Sequence, residues 1–200
     1  RLPALAVLTG ASQYHLARTW WADGYEARAE AGEWPTPAAY LAEFARVTAT
    51  RRLSLAEWAS ARAAAMTRID GSMVALRRAS ELGVVSLLSN NPAATASALP
   101  ILAPDVVEIL GRNQLFSYML GARKPGEEIY RRALAHYGVD AADAFLADDS
   151  LANVEGARSD QHLGDLQGLL AVVGLRHQEI VDIHAQLARV IRVEGVLGID

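Results

Sequence analysis

The chain of 200 residues, 52% of them hydrophobic, is long enough for one domain with a substantial core or for a domain carrying a small insert. Its 19 basic and 23 acidic residues leave a net charge of −4 with neither sign in a block, which argues against nucleic acid as the main partner, and the absence of cysteine excludes disulfides and thiolate chemistry. No apolar run approaches the roughly 18 residues of a membrane span, and the N-terminus has no basic-then-apolar leader pattern, so a soluble cytoplasmic protein is expected.

Residues 11–70 read as helical. Thr36-Pro37 supplies an N-cap and a proline at the first helical position, opening Ala38–Val47. Ser54-Leu55-Ala56-Glu57 is a capping box that opens a second helix to about Met66, with Leu55, Trp58, Ala59 and Arg62 on one face. Nothing in the segment alternates with period two, so it predicts a small all-helical module. Trp20, Trp21, Tyr25, Trp34, Tyr40 and Trp58 are either the core of that module or the lining of its inner face.

The pattern changes at Asp70-Gly71. Ser72–Leu82 predicts a short helix closed by Gly83, and Val84–Leu88 is a compact apolar, β-branched run of the kind found in buried parallel strands. In Ser89-Asn90-Asn91-Pro92, Asn91 can cap and Pro92 can start the next helix. Pro125–His136 predicts a helix with Glu127→Arg131 and Glu128→Arg132 pairs, ended by Gly138. A short turn at Asp140–Asp143 then leads into a second buried strand, Ala144–Ala147, and Ser150 caps a helix to about Arg158. Strand, loop, helix, repeated, predicts a doubly wound, Rossmann-like parallel α/β sheet.

Ligands of such sheets bind beyond the carboxyl ends of the strands, where the polar residues of this chain collect. Ser89-Asn90 follows the first strand, and a hydroxyl with backbone amides at a helix start suits a phosphate oxygen. Asp148-Asp149 follows the second, and adjacent carboxylates suit a hard cation such as Mg²⁺. Lys124, the chain's one lysine, stands just before Pro125, where its ammonium can be held near both. Its uniqueness among so many arginines is either a chance survival under coding bias or a sign that arginine would not serve there. Taken singly, Ser-Asn after a strand is more often a cap, Asp-Asp before Ser more often a turn, and Arg-Lys-Pro more often a solvated loop.

In this order they resemble motifs two, three and four of the haloacid dehalogenase-like hydrolase superfamily: Ser89-Asn90-Asn91, then Gly121–Tyr130, then Phe145–Arg158. The likeness covers residues 11–158, with 11–70 matching the small cap inserted after the first strand. It implies a core of residues 1–10 and 71–174, a cap of 11–70 and an atypical tail of 175–200. It also implies an aspartate nucleophile on a first strand, attacking a small phosphorylated metabolite to give an aspartyl-phosphate, with a second aspartate as general acid and base. Ser89, Asn90 and Lys124 would bind the phosphate, with Ser89 and Lys124 in catalytic roles, and Asp148 and Asp149 would hold Mg²⁺. The dehalogenase branch shares the nucleophile but needs no metal, so the paired acids favour the phosphatase branch.

Motif one is missing. The segment Leu2–Gly10 places Pro3 at the nucleophile position and Leu5 at the acid/base position, and neither can do the chemistry. Beyond Arg158 the chain also departs from the family pattern: Leu169–Leu175 predicts a strand, Ile180–Val193 a helix, and His177 with His184 makes no closed metal site. Departures at both ends of an intact middle predict a truncated or frame-disrupted product. Hydrolysis is therefore expected to be absent, Mg²⁺ binding weak or absent, and a non-catalytic pseudohydrolase is the competing reading.

Overall fold

A computed structural model describes residues 1–158 and the strand 171–173. In chain order, α1 (Leu2–Thr9) is followed by α2 (Gln13–Leu16), which runs into a π-helical stretch, Ala17–Ala22. Next come α3 (Tyr25–Glu30), α4 (Pro37–Val47), α5 (Leu55–Ala63) and α6 (Asp70–Leu82). β1 (Val84–Ser89), α7 (Ala93–Leu102), α8 (Pro104–Leu110), β2 (Gln114–Phe116) and α9 (Ser117–Leu120) make up the middle. The rest comprises α10 (Glu127–Tyr137), a 3-10 turn at Ala141–Asp143, β3 (Ala144–Phe145), α11 (Leu151–Arg158) and β4 (Ala171–Val173).

These elements form two compact units. The first, Arg1–Thr67 with Ser89–Pro104 and Phe116–Ala122, is helical. Its local signals act as the residues dictate. Thr36 Oγ1 accepts from the Ala39 amide at 3.2 Å, with Pro37 in the first turn of α4. The Ser54–Glu57 capping box closes in both directions, with the Ser54 amide on Glu57 Oε2 at 2.8 Å. Trp20 is fully buried at the centre, its ring 5.1–5.8 Å from those of Tyr25, Trp34, Tyr40 and Phe44. Tyr40 and Trp58 are also core, and Trp21, Tyr25 and Trp34 pack half-buried against it. Ala94 and Ala98 give α7 a small-residue face that packs on α4 and α5. Glu26 is buried in this apolar setting because donors surround it: Trp20 Nε1 and Tyr40 Oη on one oxygen, Arg1 on the other.

The second unit, Arg68–Leu88, Asp105–Leu115 and Arg123–Asp200, holds the strands. Met73, Leu76 and Ala79 of α6 pack with Val85, Leu110, Phe145 and Ala147. The strand order is β2-β1-β4-β3. β4 runs antiparallel to β1, with Val85 opposite Val172, and antiparallel to β3, with Phe145 opposite Val172.

This corrects the expected doubly wound sheet. Helix takes 63% of the described structure and strand 7%, and the parallel part of the sheet is a short two-strand pair. Three local causes are visible. The Leu2–Thr9 segment, assigned with residues 1–10 to the α/β core, is α1 of the helical unit: it is rich in leucine and alanine, Pro3 sits in its first turn, and Gly10 closes it in the left-handed region (φ 77°). The second strand, expected over Ala144–Ala147, is only Ala144–Phe145, because Leu146 onward turns away toward Asp148. The position between β1 and β3 is held by an antiparallel segment, which a wholly parallel sheet does not contain. Ile180–Val193, His177, His184 and the tail 175–200 lie outside the described residues. Among the described residues, no single helix is long and apolar enough to cross a membrane.

Replacing Tyr40 with Phe keeps the ring packing and removes one of the donors to buried Glu26. The expected cost is about 1–3 kcal/mol of unfolding free energy, read as a lower midpoint in urea at unchanged slope.

Candidate functional site

β1 carries the chain to Leu88, whose carbonyl accepts from Lys124: Nζ donates to Leu88 O at 2.7 Å and also pairs directly with Asp148 Oδ2. The two side chains are 10% and 6% exposed, so the pair is shielded from water. Asp148 follows β3 in a loop that its own carboxylate organises. Oδ1 accepts from the Ser150 amide at 2.9 Å and from Asn153 Nδ2 at 2.8 Å, which ties the loop to the first turn of α11. Tyr130 of α10 adds a further tie, donating to Asn153 O at 2.6 Å.

Close backbone approach brings the lysine segment and the aspartate segment together. A Cβ on Gly156 would lie 2.1 Å from Pro125 O, so α11 rests on the residue next to Lys124 only because position 156 is glycine.

The electrostatics follow from this arrangement. Burial pushes the Asp148 carboxyl upward, but the bond to Lys124, the Asn153 amide, the lysine charge and the Ser150 amide outweigh it, leaving the pKa below its ordinary value. Asp149 is exposed, and its pKa is raised by the desolvation that neighbouring groups impose and then by the negative charge of Asp148. Burial, followed by the Asp148 charge, lifts the Tyr130 hydroxyl well above the usual tyrosine range.

Of the residues singled out from sequence, Lys124 and Asp148 are in contact, Asp149 is next to Asp148 and points outward, and all three belong to the second unit. Ser89 and Asn90 belong to the first. There Ser89 Oγ accepts from Asn91 Nδ2 at 2.7 Å, and the Asn91 amide donates to Ser117 Oγ at 3.1 Å. Asn91 therefore organises the loop, a larger role than the helix cap expected of it; α7 has no side-chain cap bond. Pro3 and Leu5 are residues of α1, and Leu5 is buried in the core of the first unit.

The carboxylates present fit Mg²⁺ poorly. Asp148 already accepts three hydrogen bonds on its two oxygens. Among the described residues, no three His, Asp or Glu side chains gather as a ligand set. An apolar cavity of about 50 Å³ lies between β1, β3 and α10, lined by Leu88, Tyr130, Leu134, Tyr137 and Leu146. No charged side chain lines it, so it does not suit a phosphate group.

Sequence reasoning gave no structural or site role of their own to Arg62, Tyr130 or Gly156. A glycine inside a helical pattern is a legible sign of close approach. The other two carry no such sign, because their partners, Asn91 and Asn153, are distant in sequence. No protein-family model, curated protein or solved structure matches the chain.

Two outcomes follow from this geometry. Gly156→Ala is expected to cost about 1–3 kcal/mol by overpacking, seen as a lower melting temperature. Because the folded pKa of Asp148 is depressed, its contribution to stability is present above the unfolded value of about 3.9 and is lost as pH falls through the folded value. Lys124→Met leaves Asp148 buried without its cation, so the stability gap between wild type and variant is expected to be widest near neutral pH and to narrow on acidification. Urea melts across that range measure it. A gap independent of pH would show that the two residues are not coupled.

Proposed function

We propose that the Lys124–Asp148 pair is the centre of a phosphate-handling site of the haloacid dehalogenase type, in a chain that binds a small phosphorylated molecule and, as written, does not hydrolyse it. One observation supports this reading most: a single ammonium joins the end of β1, one residue before Ser89, to the acidic loop after β3. Those are the segments that the resemblance assigns to motifs two, three and four. A lysine suits the task because its compact ammonium can exchange a carbonyl for a phosphate oxygen without leaving the carboxylate, whereas a guanidinium is a planar fork. Ser89 and Asn90 come into the reading through the resemblance alone.

Turnover is not expected, because the positions where the resemblance calls for a nucleophile and an acid/base hold Pro3 and Leu5. Losing a nucleophile costs on the order of 10⁶ in rate in well-studied hydrolases. Weak Mg²⁺ binding, if any, accords with a set of two adjacent carboxylates of which one is engaged by the lysine. A ligand of this size, a net acidic chain without cysteine, and no long apolar helix among the described residues accord with a cytoplasmic setting.

The test uses the chain's single lysine. An amine-acylating reagent labels Lys124 and the N-terminus only, and mass spectrometry separates the two. Inorganic phosphate is expected to slow labelling of Lys124 severalfold and to leave the N-terminus unchanged. Equal labelling with and without phosphate would remove the phosphate-site reading. In parallel, the purified chain with Mg²⁺ is expected not to turn over p-nitrophenyl phosphate. Mg²⁺-dependent turnover that disappears in Asp149→Ala would show that another residue serves as nucleophile and would overturn the inactivity.

A further inference from the structure

The second unit fills one face of β1 and leaves a gap on the other. Side chains alternate along a strand, and Val85 and Leu87 join the core that packs on α6. Ser86 and Leu88 face the other way, toward α10. There the helix presents Tyr130, Ala133, Leu134 and Tyr137, spaced along one face at i, i+3, i+4 and i+7. Ala133 is the small residue in the middle of that face, and beside it lies the cavity of about 50 Å³, room for roughly four waters. Protein interiors seldom leave voids larger than a single water. This one is not sealed, since Leu88, Leu134 and Leu146 on its wall are half-buried.

The wall is hydrocarbon apart from three hydroxyls, and one of these, on Tyr130, is turned to Asn153 O. The other two form a pair. Ser86 interrupts the apolar run Val84–Leu88, and its Oγ accepts from Tyr137 Oη at 2.6 Å while donating to Leu87 O at 3.2 Å. Burial lifts the Tyr137 hydroxyl above its ordinary range, against the weaker effect of the Ser86 bond, so it stays protonated as that donor. With both protons placed, Tyr137 Oη keeps lone pairs to accept a further hydrogen bond, and no donor among the described residues is bonded to it. A water in this cavity would find one such hydroxyl, whereas a well-held buried water has about two to four polar partners. Water held so poorly is displaced by an apolar group with a gain in affinity.

We propose that the cavity between β1, β3 and α10 is a binding site for a small uncharged alcohol. The hydrocarbon chain lies between Ala133 and the three leucines, and the alcohol donates its proton to Tyr137 Oη. An apolar pocket with one placed polar group is the usual form of a small-molecule site, the polar group fixing the ligand's orientation. The proposal does not rest on the phosphate reading, since the ligand carries no charge and neither Ser89, Lys124 nor Asp148 lines the cavity.

Methyl NMR of the full chain, labelled at leucine and titrated with n-butanol, tests it. The methyl signals of Leu88, Leu134 and Leu146 are expected to shift and to saturate. Butyrate and butylammonium at the same concentrations should leave them unmoved, because the group in the hydroxyl's place would be a buried charge. Ala133→Leu fills the space and should abolish the saturable shifts. Tyr137→Phe keeps the ring and removes the acceptor, so it should weaken n-butanol binding about two- to tenfold, the range for one hydrogen bond. That isosteric variant carries the test where Ala133→Leu does not fold. Shifts that do not saturate in wild type, equal binding of the charged analogues, undiminished binding by a folded Ala133→Leu chain, or unchanged affinity in Tyr137→Phe would each overturn the proposal.

Discussion

A single ammonium group joins two acceptors from separate parts of the second unit, the Leu88 carbonyl near the end of β1 and the buried Asp148 carboxylate after β3. Without it, an isolated carboxylate as dry as Asp148 would take up a proton, and the Leu88 carbonyl would lose a hydrogen bond. Desolvating both charges is expensive, and their attraction alone need not compensate. The Ser150 amide and Asn153 tip the balance, because they complete the coordination of the carboxylate and hold it on the lysine. The pair thus organises the unit: it fixes the β3–α11 loop, and Gly156 lets α11 approach Pro125 beside it.

The helical unit handles its buried acid differently. Glu26 is neutralised by Arg1 and further solvated by two aromatic donors, Trp20 Nε1 and Tyr40 Oη. These donors come from rings that already belong to the core, so the carboxylate is accommodated without breaking the apolar packing around Trp20. Half-buried Arg62 is held by a neutral acceptor, donating from Nη2 to Asn91 Oδ1, while its Nε has no partner.

The sheet is small because its pieces do not add up to parallel layers. β1 has the apolar, β-branched composition of a strand and forms one, although only Val85 and Ser86 of it are buried. A neighbour parallel to it requires another such run joined through a crossover, and β3 spans just two residues. The antiparallel β4 pairs with both β1 and β3, and covers backbone groups that would otherwise be left open between them.

Short-range chemistry was legible in the residues themselves. The Thr36 cap, the Ser54–Glu57 box, the Gly138 stop and the β1 run each depend on atoms within a few positions, so the local sequence determines them. Even at that range, competition between partners mattered: Arg131 turns to Glu128, which also holds Arg132, instead of to Glu127. The motif order singled out Ser89, Lys124, Asp148 and Asp149 together, with Asp149 foremost of the two acids, and of these it is Lys124 and Asp148 that touch. Tertiary structure alone decided that Leu2–Thr9 is a helix packed through Leu5, that β3 stops at Phe145, and that β4 runs antiparallel between β1 and β3. It alone showed that Arg62 bonds Asn91. The reason is that a strand needs a partner and a buried charge needs a counter-group. Both conditions are set by residues far away in sequence, where periodicity and capping carry no information.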